Sequence, residues 1–146
     1  MKQYVLRPEI LKMKKAKHFR ELAPIAIQIA SRLTRPVTQV CGPVSTGGRG
    51  SIEKNMKALK DAILFVGNQG FSVFDQTIFE KHLWRISGLP ALKNASEYLL
   101  LDSFYRPIFL SEKLQYLHFI PGWQGSVGAV WEHSLGKSLG IKIVYL

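Results

Sequence analysis

Residues 36–74 hold the pattern that most narrows the folds open to this chain. Pro36-Val-Thr-Gln-Val-Cys41 is a short run rich in β-branched residues and reads as a buried strand. GPVSTGGRGS, residues 42–51, can only be a loop. Beyond it, Ile52, Met56, Leu59 and Ile63 recur at steps of four, three and four, with Lys54, Lys57 and Lys60 on the other side. That is one apolar helix face, ending at Gly67-Asn68 or Gly70. Phe71-Ser-Val-Phe74 is then a second strand. Strand, glycine-rich loop, helix and strand make a βαβ unit, whose crossover is right-handed and whose strands are parallel.

The rest of the chain continues the alternation. A helix is expected around Thr77–Ile86, a break at 87–90, and a longer helix from about Leu92 to Ser103 that Pro107 ends or kinks, with one further turn after it. Leu114–Ile120 reads as a third strand, 122–125 as a loop, Ser126–Leu139 as a helix closed by Gly140, and Ile141–Leu146 as a final strand. The 146 residues are the size of one domain. The expected architecture is α/β: a Rossmann-like, flavodoxin-like sandwich with a four-stranded, mainly parallel sheet in the order 2-1-3-4. Such sheets bind ligands beyond the carboxyl ends of their strands, where strand order reverses. Both glycine-rich loops, 42–51 and 121–126, fall at that edge.

The net charge of +10 is unevenly spread. Residues 1–35 carry nine Lys or Arg against Glu9 and Glu21; the remainder carries eleven against eight. The apolar positions Phe19, Leu22, Ile25, Ile29 and Leu33 mark a helix, starting near or bending at Pro24 and ended by Arg35-Pro36. Residues 1–35 thus read as a basic helical extension before the α/β domain of residues 36–146. Its charge suits weak, non-specific contact with nucleic acid or another polyanion, or simply a solvated helix face. No RNA-recognition or zinc-finger signature is present, and no apolar run approaches the roughly 18–20 residues of a membrane span. With no signal-peptide pattern and a single cysteine, Cys41, the chain is expected in the cytoplasm, without membrane contact.

Neither familiar phosphate motif fits the first loop. Gly42 and Gly47 match a P-loop, but Gly48 stands where lysine is required; Gly48 and Gly50 match a dinucleotide motif, but Glu53 stands where the third glycine belongs. Ser45, Thr46, the glycines and Arg49 can still surround an anion at a helix N-terminus, or form a flexible loop capped by Ser51. The second loop is no nucleophile elbow, because Gln124 replaces the first glycine of that motif. His133 adjoins Glu132, yet residues one apart on a helix diverge. The histidines at 18, 82, 118 and 133 lack metal-ligand spacing, so neither metal nor cofactor is expected. What remains is Ser126, as helix cap or anion ligand, and Glu132, about 9 Å farther along the helix.

These loops resemble those of the nucleoside 2-deoxyribosyltransferase superfamily. Residues 40–51, VCGPVSTGGRGS, followed by a helix, are similar to its opening loop, and the Gly-Gly-Arg is similar to that of the 2′-deoxynucleoside 5′-phosphate N-hydrolases. The pattern Pro121-Gly122-Trp123-x-x-Ser126-x-Gly128-x-x-x-Glu132, with LGIKIVY at 139–145, resembles the second motif, in its small bacterial and phage branch. The resemblance spans about residues 37–146 and departs from the family at Cys41, where an aromatic is usual, and at Glu112-Lys113, where Ala-Asp often stands.

The resemblance implies N-glycosidic bond hydrolysis or transfer on a nucleoside or nucleoside 5′-monophosphate. Glu132 would be the nucleophile at C1′ and Asp102 the second acid. Gly42, Ser45, Gly47, Gly48, Arg49, Trp123, Ser126 and Gly128 would bind substrate or its phosphate, in a pocket commonly shared within a homo-oligomer. The alternatives are a non-catalytic nucleotide- or nucleotide-sugar-binding protein, and a nucleic-acid-associated protein acting through the basic N-terminus.

Overall fold

The protein is described from a computed structural model covering residues 3–45 and 47–146. Met1, Lys2 and Thr46 of the first loop lie outside the described residues.

The basic segment forms two helices rather than one. Helix α1, Arg7–Lys15, begins with Pro8 in its first turn, and the Leu6 amide donates to Glu9 Oε1 across 2.9 Å. Helix α2, Phe19–Ser31, is capped by His18, whose Nδ1 accepts from the Arg20 amide. It starts five residues before Pro24, which sits exposed in its second turn. Arg32 holds α1 to α2 through Glu9, with Nη1 3.0 Å from Oε2. Arg85 closes the end of α1 by donating to the carbonyls of Ala16 and Met13. Leu22, Ala26 and Ile29 of α2 are fully buried in the same core as Phe104, Ile108 and Leu117, so by packing this segment belongs to the α/β body.

Strand β1, Val37–Cys41, is buried at every position. Helix α3, Ile52–Asn68, follows, with the Ser51 side chain accepting from the Lys54 amide, and leads to β2, Ser72–Val73. A 3-10 turn, Gln76–Phe79, runs into α4, Glu80–Ser87. After a short 3-10 turn at Pro90–Leu92 the chain re-enters helix as α5, Glu97–Leu100. It then widens into a π segment, Leu101–Tyr105, and ends as α6, Arg106–Leu110. The expected 92–103 helix therefore starts later and runs through Pro107. Proline lacks the amide proton that a regular turn needs, and its ring would collide with the carbonyl four residues back; the π widening relieves both.

Strand β3, Tyr116–Phe119, a 3-10 turn at Trp123–Gly125, helix α7, Val127–Ser138, and β4, Lys142–Tyr145, complete the chain. The four strands are parallel in the order β2-β1-β3-β4, with Thr38 opposite Val73 on one side and Tyr116 on the other. Period-two alternation divides the sheet faces. Val40 packs with Leu59 and Val66 of α3, whereas Val37, Cys41, Leu117 and Phe119 join the larger core of α2, α6 and their neighbours. Among the described residues no helix is long and apolar enough to cross a membrane.

Candidate active site

Strand order reverses on either side of β1: the chain moves outward to β2 and then returns past β1 to β3. The loops leaving β1, β2 and β3 meet at this edge, and between them lies a cavity of about 400 Å³. That volume lies within the range of small-molecule sites. Gly42, Val44 and Ser45 come to its wall from β1, Gln76 and Glu80 from β2, and Ser126, Gly128, Ala129 and Glu132 from β3 and α7.

Ser126 caps α7: it is in extended conformation, and its Oγ accepts from the Ala129 amide at 3.2 Å. Glu132 lies in the second turn, facing the sheet and only 7% exposed. One turn later Gly136 lets the helix settle on β3, since a methyl group there would stand 2.4 Å from Leu117 Cδ1. Glu132 Oε2 accepts from Gln39 Nε2 at 2.6 Å, and the Cys41 thiol, which donates to the Gln39 carbonyl at 4.0 Å, lies beside the carboxyl. Gln39 and Cys41 alternate with Thr38, which faces the other side of the sheet and bonds His118 Nδ1 at 2.7 Å. Burial raises the Glu132 pKa to about 8; Cys41 and the Gln39 hydrogen bond oppose this rise, and the nearby charge of Glu80 adds to it. At neutral pH the protonated form predominates.

Glu80 opens α4, directly after a 3-10 turn whose cap, Asp75, accepts from the Thr77 amide at 2.8 Å. Loss of hydration raises its pKa to about 7. Gln76 Nε2 donates to the Val40 carbonyl at 2.7 Å, tying this wall to β1. Its Oε1, like that of Gln39, is buried without a partner among the described residues. Tyr105 completes the polar set; burial first, then the charges of Glu80 and Glu132, push its phenol upward, so it remains a hydrogen-bond donor. The site thus offers two carboxyls of raised proton affinity beside unpartnered amide oxygens.

The structure brings together five of the residues singled out from sequence: Gly42, Ser45, Ser126, Gly128 and Glu132. It separates the other five. Gly47 and Gly48 line a neighbouring depression that shares Ser45 with the cavity, and Arg49 is exposed outside both. Asn55 fixes that loop by accepting from the Arg49 amide and donating to the Val44 and Gly47 carbonyls. Trp123 stacks on His133, ring centroids 4.2 Å apart, in an aromatic group with Phe119 and Tyr145 away from the cavity wall. Asp102 is exposed and paired with Arg106 at 2.8 Å, not on the cavity wall. The other acids on the cavity wall are Glu80 and Glu97.

Gln39, Gln76, Glu80 and Tyr105 were not anticipated. Only Gln39 left a sequence signal, as an amide inside an otherwise strand-like run that is buried throughout. Among the described residues no three His, Cys, Asp or Glu side chains gather as a metal site. No protein-family model, no characterised protein and no solved structure matches the chain.

Proposed function

We propose that the protein cleaves or exchanges the N-glycosidic bond of a nucleoside or nucleotide, with Glu132 as nucleophile. The observation that carries this reading is the placement of Glu132: a buried carboxyl, oriented by Gln39, on the wall of a cavity at the switch point of a parallel sheet. The resemblance of residues 40–51 and 121–132 to the nucleoside 2-deoxyribosyltransferase loops points the same way.

The reaction follows the logic of two carboxyls with different protonation. An ionised Glu132 oxygen attacks C1′, the C1′–N bond breaks, and its electron pair leaves with the base, which takes a proton from Glu80. A glycosyl ester on Glu132 remains. Glu80, now ionised, accepts a proton from water or from a second base as that nucleophile attacks C1′, and the ester's electron pair returns to Glu132. The reactive form carries one proton on the pair, on Glu80; with values of about 7 for Glu80 and about 8 for Glu132 it is the minor of the two singly protonated arrangements near neutral pH.

One observation favours a second reading. A carboxyl that remains protonated up to about pH 8 is a hydrogen-bond donor rather than a nucleophile, as suits a site that holds a nucleoside without turnover. The test is release of free base from a panel of nucleosides and their monophosphates. Release establishes a glycosidase. Saturable binding with no release from any of them selects the binding-only reading.

A further inference from the structure

We propose that the cavity selects an unphosphorylated nucleoside whose base carries a positive charge. The proposal rests on the glycosidase reading above and names the substrate class of that same site.

The charged side chains of the cavity wall are mostly acids. Three acids, Glu80, Glu97 and Glu132, line it. Gln76 adds an acceptor of a different kind. It is 5% exposed, its Nε2 is committed to the Val40 carbonyl, and its Oε1 has no partner among the described residues. The amide cannot be turned to supply a donor, because that would set its oxygen against the Val40 oxygen. A buried acceptor without a partner costs about 1–3 kcal/mol. Among the described lining residues the only cation is Lys93, an exposed residue of the stretch before α5. The groups suited to an anion, Arg49 and the amides of Gly47 and Gly48, lie outside the cavity.

A 5′-phosphate placed here would bring its negative charge among three acids, with Lys93 the one cation of the described wall and neutral hydroxyls such as those of Ser45 and Ser126 as its other donors. A cationic heterocycle would instead favour the ionised form of the acids, and the rings of Phe19, Trp84 and Tyr105 stand on the same wall. The chemistry also simplifies. When the base is cationic, attack by ionised Glu132 breaks the C1′–N bond, and the departing electron pair neutralises the base. The negative charge of Glu132 is spent in the ester, so the charges balance without a proton from Glu80.

The test uses the full chain and three probes of one shape in calorimetric titrations at pH 7.5 and low salt. Nicotinamide riboside is a permanently cationic nucleoside, benzamide riboside is its neutral carbon isostere, and nicotinamide mononucleotide is its phosphorylated form. The expected result is that the cationic nucleoside binds at least about tenfold more tightly than either of the others, the scale of a desolvated contact to a cation. Glu80→Gln should shrink that preference while the thermal transition stays cooperative. Equal or tighter binding of the neutral isostere or the mononucleotide, or no binding of the cationic probe, overturns the proposal. The two readings separate cleanly. Cationic preference without release of nicotinamide removes the glycosidase and keeps the ligand class; base release from neutral nucleosides without charge preference does the reverse.

Discussion

Gln39 Nε2 lies 2.6 Å from Glu132 Oε2, joining the middle of the central strand to the second turn of the last long helix. This amide donates to the carboxylate and so favours its ionised form, opposing the burial that raises its pKa to about 8. Replacing it with an apolar residue of similar size, Gln39→Leu, removes that opposition. Glu132 has the higher of the two carboxyl values in the site, so its ionisation sets the upper apparent value of the pH–rate profile, which should move upward by about one pH unit, the scale of one hydrogen bond to a charged group. An unmoved upper value means that Gln39 does not tune the nucleophile.

Glu80 should set the lower apparent value. With a neutral leaving base the reactive form carries one proton on the Glu80–Glu132 pair, so the profile is bell-shaped with apparent values near 7 and 8. Glu80→Gln removes proton delivery. The rate on a poor leaving base should fall by about 10²–10⁴-fold and the descending limb should vanish, whereas a base that leaves without protonation should be affected far less.

Stability should depend on pH with a sign opposite to that of a salt-bridged acid. Between its ordinary value of 4.5 and about 8, Glu132 binds a proton in the folded chain and none in the unfolded chain. Stability is therefore fully present below about 4.5 and is lost as pH rises to about 8, at up to roughly 1.4 kcal/mol per pH unit. Glu80 adds a smaller effect of the same sign up to about 7, reduced by its partial exposure. Glu132→Gln cannot titrate, so urea unfolding should show its slope between pH 7 and 8 flattened and its stability above that of the wild type beyond pH 8. A wild-type stability that rises with pH from 5 to 8 would contradict the assignment of a raised Glu132.

Asn55 governs the first loop from outside the cavity lining, through the Val44 carbonyl. Its buried amide satisfies the Val44 and Gly47 carbonyls and the Arg49 amide. Asn55→Ala leaves those groups without their protein partner and should cost about 1–3 kcal/mol in urea unfolding. Because Gly42, Val44 and Ser45 form one cavity wall, ligand affinity should weaken as well. Unchanged stability would show that this loop makes its own hydrogen bonds.

The strand order and both helix caps, Ser51 and Ser126, were legible because they follow from local chemistry: period-two runs, glycine-rich loops and hydroxyls before apolar faces. The second acid was not. Asp102 sits in a π segment, and one extra residue in a turn rotates the helix faces that follow by about 100°. That widening accompanies Leu101 and Tyr105 on the cavity wall, while Asp102 pairs outward with Arg106. Glu80 gave no signal, since its role comes from how α4 packs over the cavity rather than from any spacing. Arg49 looked like a phosphate ligand by composition, yet the side chain of Asn55, four residues beyond the cap Ser51, directs that loop elsewhere. The positive charge of residues 1–35 suggested an appended arm, whereas the apolar face of α2 places it in the core.

The central claim is that the Glu132 carboxylate attacks C1′, and the most direct measurement is the rate of base release by Glu132→Gln on the best substrate of the wild type. The glutamine keeps the size of the side chain and its place beside Gln39 but cannot form the glycosyl ester at a useful rate. The account predicts that release falls by orders of magnitude while the same ligand still binds. A Glu132→Gln protein that releases base as fast as the wild type would contradict it.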